Sequence, residues 1–512
     1  MKLSRIPATV LGIAACTFLA HWYGFWHYGY FVDELYYLAC SRHLDWGYVD
    51  QPPLIALLTW MLRAVLGQSL WAIRLLPALA GVAELLLTAL IARELGGKRF
   101  AQGLAALAAL AAPGILAGDG LLTMNAFEPL FWMGCAYLLI RLIKTENTKL
   151  WIWFGALAGF GLENKYSMAI FGAGLVLGLA LSSERRALGS RWLWAGGAIA
   201  LLIFAPNLIW NLQHHFPFLE LQANIRASGR DVPLGPVAFF GQEILLMNPL
   251  TLPIWAGGLW FYFLTEAGRR FRAVGWAWIF TAAVIVILSP RVYYLFAAFP
   301  VLFAGGAVFW EQLLARPKLA CLNIVYLVKI AYPVLIVLAG ALLAPLAIPL
   351  LAPETYIRYT QAIGLEQPAI ETHKLGPLPQ IFADQFGWDQ MAATVAGVYN
   401  SLPPEVRTRT AIFAQTYGQA GAIDLFGPKY GLPPAISAHQ SYYLWGPRGY
   451  SGESMIVLDD SLEDLQPLFT SVQKVAHVYH PYSMPYQHFD VFYCRGMHPP
   501  LPELWPRLKR WN

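Results

Sequence analysis

The chain has 512 residues, of which 57% are hydrophobic and 13% are charged, whereas soluble domains have about 25% charged residues. This composition excludes a soluble globular protein, and apolar runs of about 20 residues, which recur as far as residue 351, are typical of a polytopic membrane protein. The formal net charge of +5 does not indicate nucleic-acid binding, because the Lys and Arg residues occur in short clusters between the apolar runs.

The first apolar run follows Lys2 and Arg5, and we interpret it as a retained signal anchor because more spans follow it. About eleven transmembrane helices are predicted, at 7–26, 69–92, 101–118, 126–143, 150–163, 166–182, 192–210, 237–264, 274–289, 293–314 and 325–351. If Lys2 and Arg5 are cytoplasmic, later basic clusters such as Arg269/Arg270 fall on the same side. The opposite loops are then predicted to lie outside the cytoplasm, at 27–68, 119–125, 164–165, 211–236 and 290–292.

Two parts of the chain outside the spans have their own patterns. In the first outer loop, 34–43 and 53–66 are apolar on one side and too short to span, which predicts amphipathic helices on the membrane surface. Residues 352–512 follow the membrane domain 1–351 and are predicted to form a small extracytoplasmic α/β domain. Its predicted strands are TAIFA, PAISA, SMIVLDD and DVFYCRG, and its predicted helices are DQMAATVAGVYNSL, YGQAGAIDLFG and LEDLQPLFTSVQKV.

The first outer loop, FVDELYYLACSRHLDWGYVDQPP, contains three acids that stand out. Asp33 and Glu34 follow the first span, and Asp50 comes seventeen residues after Asp33, just before a Pro pair that turns the chain back. Two carboxylates at a water–lipid boundary are suited to hold a divalent cation, to activate an acceptor hydroxyl, or both. The alternative is a solvated loop in which the acids cap helices, with Asp33 as the N-cap.

Polar residues also occur at other predicted outer loops. In GDGLLTMNAFEPLFW, Asn125 and Glu128 share one helix face, which indicates either a substrate site or a capping box. Lys165 in GLENKYSMA and Arg291 in SPRVYYLFAAFP are cations on the side where cations are rare, so each has either a phosphate partner or a snorkelling side chain. Acids and isolated cations on one side of the membrane together predict a site for an anionic lipid-linked substrate and a metal.

These motifs carry a family resemblance. DELYYLACSRHLDWGYVDQPPL resembles the first outer loop of glycosyltransferase family 39-like enzymes, the bacterial relatives of protein O-mannosyltransferases and of the lipid A aminoarabinose transferase. The second-loop motif, the lysine before Tyr166 and the late basic-x-Tyr-Tyr motif extend the resemblance over most of the chain. YGQAGAIDLFGPKYGLP and HQSYYLWGP resemble one bacterial subgroup.

The resemblance implies a GT-C fold and transfer of a hexose or pentose from a polyprenyl-phosphate donor, typically with inversion. The implied acceptor is a glycolipid, a polysaccharide or a protein at the outer face of the bacterial inner membrane. By motif, Asp33 is the implied catalytic carboxylate and Glu34 its catalytic neighbour, while Asp50 is implied to bind a divalent metal such as Mg, Mn or Zn.

The remaining motif residues are implied to bind the substrate. Lys165 and Arg291 are expected to contact the donor phosphate, with Tyr293 and Tyr294 beside it. Asn125 and Glu128 belong to the same group, although relatives often have Asp where this chain has Asn125. A second departure is Gln51, which stands where some relatives have Lys.

Three other functions compete with transfer of a sugar. A transporter or flippase of a lipid-linked substrate is expected to place ionisable residues near mid-membrane, whereas here they cluster at one face. A different outer-face lipid-using enzyme, such as a ligase or a phosphoethanolamine-type transferase, is the second alternative. The latter needs a large soluble metal-binding catalytic domain, and the C-terminal segment shows no evident His/Asp cluster. A non-catalytic scaffold leaves the pairing of Asp33 with Asp50 without a purpose.

Overall fold

The structure is a computed structural model that describes residues 6–230, 232, 234–288, 291–316, 323–364 and 371–512. Lys2 and Arg5, on which the predicted topology rests, lie outside these residues, as do positions 231, 233, 289 and 290 at or beside predicted outer loops. The chain forms two compact units. Unit 1 contains Met1–His27, Trp71–Ile209 and Pro233–Leu350, and unit 2 contains Tyr28–Leu70, Trp210–Val232 and Leu351–Asn512.

The described part of the chain is mostly helical. In chain order the α-helices are α1 Ala8–Gly24, α2 Val32–Cys40, α3 Leu54–Leu66, α4 Leu70–Glu94, α5 Arg99–Leu110, α6 Pro113–Gly118, α7 Glu128–Thr145, α8 Leu150–Asn164, α9 Met168–Ala180, α10 Arg191–Gln213, α11 Pro217–Ser228, α12 Pro236–Leu246, α13 Leu252–Leu264, α14 Arg272–Leu288, α15 Phe299–Leu314, α16 Asn323–Ala347, α17 Pro353–Ile363, α18 Gln380–Ala383, α19 Trp388–Ser401, α20 Pro404–Arg407, α21 Tyr417–Phe426, α22 Gln440–Trp445, α23 Leu462–Leu465 and α24 Leu501–Leu508. Short 3₁₀ turns occupy Met124–Ala126, Arg185–Gly189, Pro249–Thr251, Arg269–Phe271, Val292–Ala298, Gly427–Tyr430 and Pro485–Gln487.

Within the described residues, six helices are long and apolar enough to cross a membrane, and one bent pair would make a seventh. The six are Leu70–Glu94, Met124–Thr145, Arg191–Gln213, Arg269–Leu288, Val292–Leu314 and Val325–Ala347. The bent pair, Pro236–Leu246 and Pro249–Leu264, turns by 96° inside the predicted span 237–264. The predicted count of about eleven thus includes segments that form shorter apolar helices. One example is 101–118, which Pro113 divides into α5 and α6.

Unit 1 is held together by close packing of these apolar helices, and α13 against α15 is its most extensive pair. Glycines let the two backbones approach. A Cβ atom at Gly306 would lie 1.7 Å from the Ile254 carbonyl oxygen, and one at Gly258 would lie 2.3 Å from that of Leu302. Small residues at helix contacts are the usual means of packing helices in a bilayer, where apolar burial alone gives little preference for helix over lipid.

Unit 2 contains a four-stranded sheet in the order β1-β2-β4-β3, with β1 Thr410–Phe413, β2 Ser454–Leu458, β3 Phe469–Val478 and β4 Phe489–Met497. Strand β1 runs parallel to β2, and the other two pairings are antiparallel. The predicted strands TAIFA, SMIVLDD and DVFYCRG and the predicted helices at α19 and α21 are present. PAISA forms only an isolated bridge, Phe413 to Ile436.

Two local predictions in unit 2 are wrong. LEDLQPLFTSVQKV is helical only at α23, because Pro467 stops the helix and the β-branched segment that follows pairs with β4 as β3. Segment 34–43 is not an amphipathic surface helix, because α2 is buried at every residue from Glu34 to Cys40 and packs against α21. Unit 2 also joins 28–70 and 210–232 to the C-terminal residues, which differs from the predicted division at 351/352.

Candidate active site

Helix α2 positions the first acids of the motif. Its N-cap is Phe31, so the interpretation of Asp33 as the N-cap is wrong, and Asp33 lies within the first turn. The Glu34 carboxylate accepts the backbone N–H of Phe31 at 2.9 Å, and Glu34 is 0% exposed. Glu34, predicted to be catalytic, thus caps the start of the helix with a carboxylate that solvent does not reach.

Asp33, unlike Glu34, is partly exposed. Its Oδ1 atom accepts a hydrogen bond of 2.8 Å from the hydroxyl of Tyr417, the first residue of α21. Burial of the carboxyl among protein groups raises the pKa of Asp33, and the Tyr417 hydrogen bond opposes that rise. A carboxylate of raised pKa that keeps some exposure is suited to accept a proton from a bound hydroxyl group.

Asp50 lies close enough to Asp33 for the Asp33 charge to raise its pKa. Burial is the larger cause and brings the pKa of Asp50 to about 7, against a hydrogen bond of 2.9 Å that Tyr36 donates to Oδ1. The Tyr36 hydroxyl also lies 2.8 Å from Ser441 Oγ and accepts the Ser441 backbone N–H at 3.2 Å. Unit 2 therefore holds both carboxylates through tyrosine hydroxyls.

The metal predicted at Asp50 needs further ligands. Across the described residues, no three His, Cys, Asp or Glu side chains are arranged to hold a metal ion. Asp50 and Asp33 supply carboxylate oxygens of the kind that Mg²⁺ accepts, but each already receives a hydroxyl hydrogen bond. These side chains do not form a complete metal site by themselves.

A second cluster, in unit 1, contains Lys165 and both second-loop residues. The Lys165 ammonium donates to Asn125 Oδ1 and to Glu128 Oε2, each at 2.7 Å. Ser167 donates to the other Glu128 oxygen. The proposed capping box of Asn125 with Glu128 is wrong, because Thr123 caps the turn at Asn125 and Glu128 instead pairs with Lys165.

Aromatic rings complete this second cluster. The Lys165 Nζ atom lies 4.8 Å from the ring centroid of Tyr294 and 5.9 Å from that of Tyr293. Arg291 donates to the Tyr293 hydroxyl at 3.3 Å. The structure thus brings Lys165, Arg291 and both tyrosines into one cationic cluster in which a carboxylate and ring faces hold the ammonium group.

Four residues that contact or adjoin the unit 2 carboxylates were not predicted from the sequence. Tyr36 donates to Asp50 and is itself bonded to Ser441, while Tyr417 donates to Asp33. Asp384 lies near enough to Asp33 for that charge to raise the pKa of Asp384. Burial is the main reason that the Asp384 pKa rises to about 7. Tyr417 and Ser441 occur in the two C-terminal stretches that carry the subgroup resemblance. That resemblance was the sequence signal that could have identified them as site residues.

Comparison with known proteins adds independent findings. A family model described as dolichyl-phosphate-mannose-protein mannosyltransferase matches residues 50–210. Lipid A galacturonosyltransferase RgtD of Rhizobium johnstonii is 28% identical over 190 residues, which are 36% of this chain and 39% of that protein. The match thus spans well under half the length of this curated relative.

Solved structures match over nearly the whole chain. ArnT from Cupriavidus metallidurans bound to undecaprenyl phosphate has a TM-score of 0.60 at 16% identity, covering 94% of this chain and 97% of that one. The apo state of the same protein has a TM-score of 0.59 over the same shares. These matches, with the family segment at 50–210, confirm the predicted family resemblance and the GT-C fold with a small C-terminal sheet domain.

Proposed function

We propose that the chain is a bacterial inner-membrane glycosyltransferase that moves a sugar from a polyprenyl-phosphate donor to a glycolipid acceptor outside the cytoplasm. The names of the similar proteins support both substrate classes, since one is a lipid A galacturonosyltransferase and the other is bound to undecaprenyl phosphate. The observation that carries the proposal is the Asp33 carboxylate, which is partly exposed, has a raised pKa and is held by Tyr417.

In the proposed reaction, Asp33 accepts the proton of an acceptor hydroxyl while that oxygen attacks the anomeric carbon of the donor sugar. The bond between that carbon and the phosphate oxygen breaks, and the polyprenyl phosphate leaves with the electron pair. Direct attack from the opposite face inverts the anomeric centre. Asp33 then returns its proton to solvent.

The leaving group requires positive charge, because a phosphate monoester that departs from the sugar gains negative charge. Lys165 and Arg291 are proposed to hold this phosphate, with Tyr293 and Tyr294 beside it. Pairing of Lys165 with Glu128 and Asn125 fixes the ammonium in one place before the donor binds. Arg291 can form two parallel hydrogen bonds to phosphate oxygens.

Asp50 is proposed to take part in binding a divalent ion, which when bound would neutralise phosphate charge. Mg, Mn and Zn are the candidates, and removal of divalent ions with a chelator tests the proposal. Transfer that continues unchanged in the chelated protein contradicts a metal role for Asp50.

The test of the proposed function is transfer from a panel of radiolabelled polyprenyl-phosphate sugars to lipid A-type glycolipids, with purified wild-type protein and Asp33→Asn. Labelled glycolipid formed by the wild type from at least one donor, and reduced by about 100-fold or more in the variant, supports the proposal. Equal transfer by both proteins removes Asp33 from the mechanism. Absence of glycolipid product over the whole panel contradicts the donor and acceptor classes proposed.

A further inference from the structure

The C-terminal residues of unit 2 supply the hydroxyl that holds Asp33, and it belongs to the first residue of helix α21. Thr416 and Gln419 form a capping box at its start, which fixes the backbone at Tyr417. The Tyr417 backbone N–H donates to His439 Nδ1 at 3.1 Å, and the two rings stack at 5.1 Å and 3°.

His439 acts here as a neutral acceptor. Burial lowers the pKa of His439 to about 3, so the ring is neutral at neutral pH. Because Nδ1 accepts the Tyr417 N–H, the one proton of the neutral ring is on Nε2. The ring centroid of Tyr417 also lies 4.6 Å from the ring centroid of Tyr36 in α2. The side chain of Tyr417 is therefore fixed from two directions before any substrate binds.

Close approach of α21 to α2 brings the Tyr417 hydroxyl to Asp33. A Cβ atom at Gly418 would lie 2.4 Å from Val32 Cγ2, and one at Gly421 would lie 2.8 Å from the Leu35 carbonyl oxygen. A larger residue at either glycine would push the helices apart. The two glycines, three residues apart on one face of α21, therefore set the 2.8 Å hydrogen bond to Asp33.

We propose that Tyr417 is a positioning residue for Asp33: its hydroxyl orients the carboxylate and stabilises the ionised form that accepts the acceptor proton. The proton-transfer role rests on the proposed function, whereas the hydrogen bond from Tyr417 to Asp33 does not depend on it. Other groups also act on the Asp33 charge or respond to it: Arg230, Glu371, Glu34, Asp50, Asp384 and Tyr37. Each of these is unchanged when the Tyr417 hydroxyl alone is removed.

The sign of the effect follows from the chemistry. A hydrogen bond to the ionised carboxylate lowers its pKa, so Tyr417→Phe raises the pKa of Asp33 above its already raised value. A base with a higher pKa is protonated at higher pH, and the acid limb of the transfer profile therefore moves to higher pH. A charge-assisted hydrogen bond makes a shift of about one pH unit reasonable.

The experiment measures Asp33 ionisation without using activity. Infrared difference spectra against Asp33→Asn follow the protonated carboxyl band with pH in the full-length wild type and in Tyr417→Phe, and transfer is measured over the same pH range. The control is Tyr442→Phe, which removes a 2.8 Å hydroxyl-to-carboxylate bond to Asp424 in the same unit.

The expected result is a midpoint about one pH unit higher in Tyr417→Phe, a matching shift in the acid limb of transfer, and no shift in Tyr442→Phe. An unchanged infrared midpoint in a folded Tyr417→Phe overturns the inference. If that variant does not fold, 3-fluorotyrosine at position 417, a stronger donor, replaces it, and a midpoint that does not fall overturns the inference. A shifted midpoint in protein that transfers no sugar contradicts the proposed function and the proton-transfer role, and leaves only the hydrogen bond to Asp33.

Discussion

The two clusters hold their charged groups by different means. In unit 2, Asp33 and Asp50 receive hydrogen bonds from tyrosine hydroxyls, and neither carboxylate forms an ion pair with a described residue. In unit 1, Lys165 has a carboxylate, an amide oxygen and two ring faces around it. Burial raises the pKa of Asp33 and of Asp50 despite the tyrosine hydrogen bonds, whereas Glu128 gives the Lys165 ammonium an anionic partner. Each cluster has the environment that its proposed role requires.

The largest effect is expected on the cationic cluster. Lys165→Met leaves Glu128, which is 4% exposed, as a buried carboxylate without its cation. Breaking a buried pair costs about 3 kcal/mol of folding free energy, and loss of the phosphate partner is expected to lower donor affinity as well. Thermal unfolding and donor binding measure the two effects.

The matched control for that change is Lys429→Met. Lys429 forms an ion pair with Asp389 in which both side chains are about half exposed, at 49% and 47%. Exposed pairs contribute little to stability, so this variant is expected to unfold and bind donor as the wild type does. Equal losses in the two variants would contradict the assignment of Lys165 to donor binding.

The carboxylate cluster is instead expected to affect how the stability of the protein depends on pH. The folded pKa of Asp50, about 7, is above the ordinary value of 3.8, so the neutral form stabilises the fold at low pH and this stability is lost as pH rises toward 7. Asp50→Asn removes the titration. We expect its melting temperature, measured in chelated buffer, to vary less between about pH 4 and 8 than that of the wild type. A variant that keeps the full wild-type pH dependence contradicts the raised pKa.

Glu34 separates helix capping from catalysis and should show the smallest effect. Glu34→Ala removes the acceptor of the Phe31 N–H and is expected to cost about 1 kcal/mol of stability, while Glu34→Gln keeps an acceptor oxygen. Both folded variants should transfer sugar at close to the wild-type rate. A loss in Glu34→Gln as large as that in Asp33→Asn would restore Glu34 to the catalytic group.

The sequence predicted the features that depend on neighbouring residues and did not predict those that depend on long-range contacts. Apolar runs, the acids around Asp33, the Lys165 motif and most elements of the α/β domain follow from neighbouring residues. The bond from Tyr417 to Asp33 joins residues 384 positions apart, and no periodicity encodes it. LEDLQPLFTSVQKV was predicted to be one helix because the apolar spacing before Pro467 fits a helix; that part forms α23, whereas the part after Pro467 belongs to β3.

Burial explains the other differences between expectation and structure. Glu34 and Asp33 are adjacent and chemically alike, yet one is fully enclosed at a helix start and the other is partly exposed beside Tyr417. Glu128 was predicted to form a capping box with Asn125 because the two are three residues apart. In the structure, Lys165 at the end of α8 donates hydrogen bonds to both side chains. Local spacing identifies such residues and does not identify their partners.

The most direct test of the account is the rate of sugar transfer at saturating donor by Asp33→Asn, together with donor affinity in the same preparation. The control is Asp45→Asn, the same substitution at an exposed acid of the same loop. The account predicts a rate about 100-fold or more below that of the wild type with donor affinity unchanged, and a normal rate for the control. A rate equal to the wild type, or a loss explained entirely by weaker donor binding, would contradict Asp33 as the base.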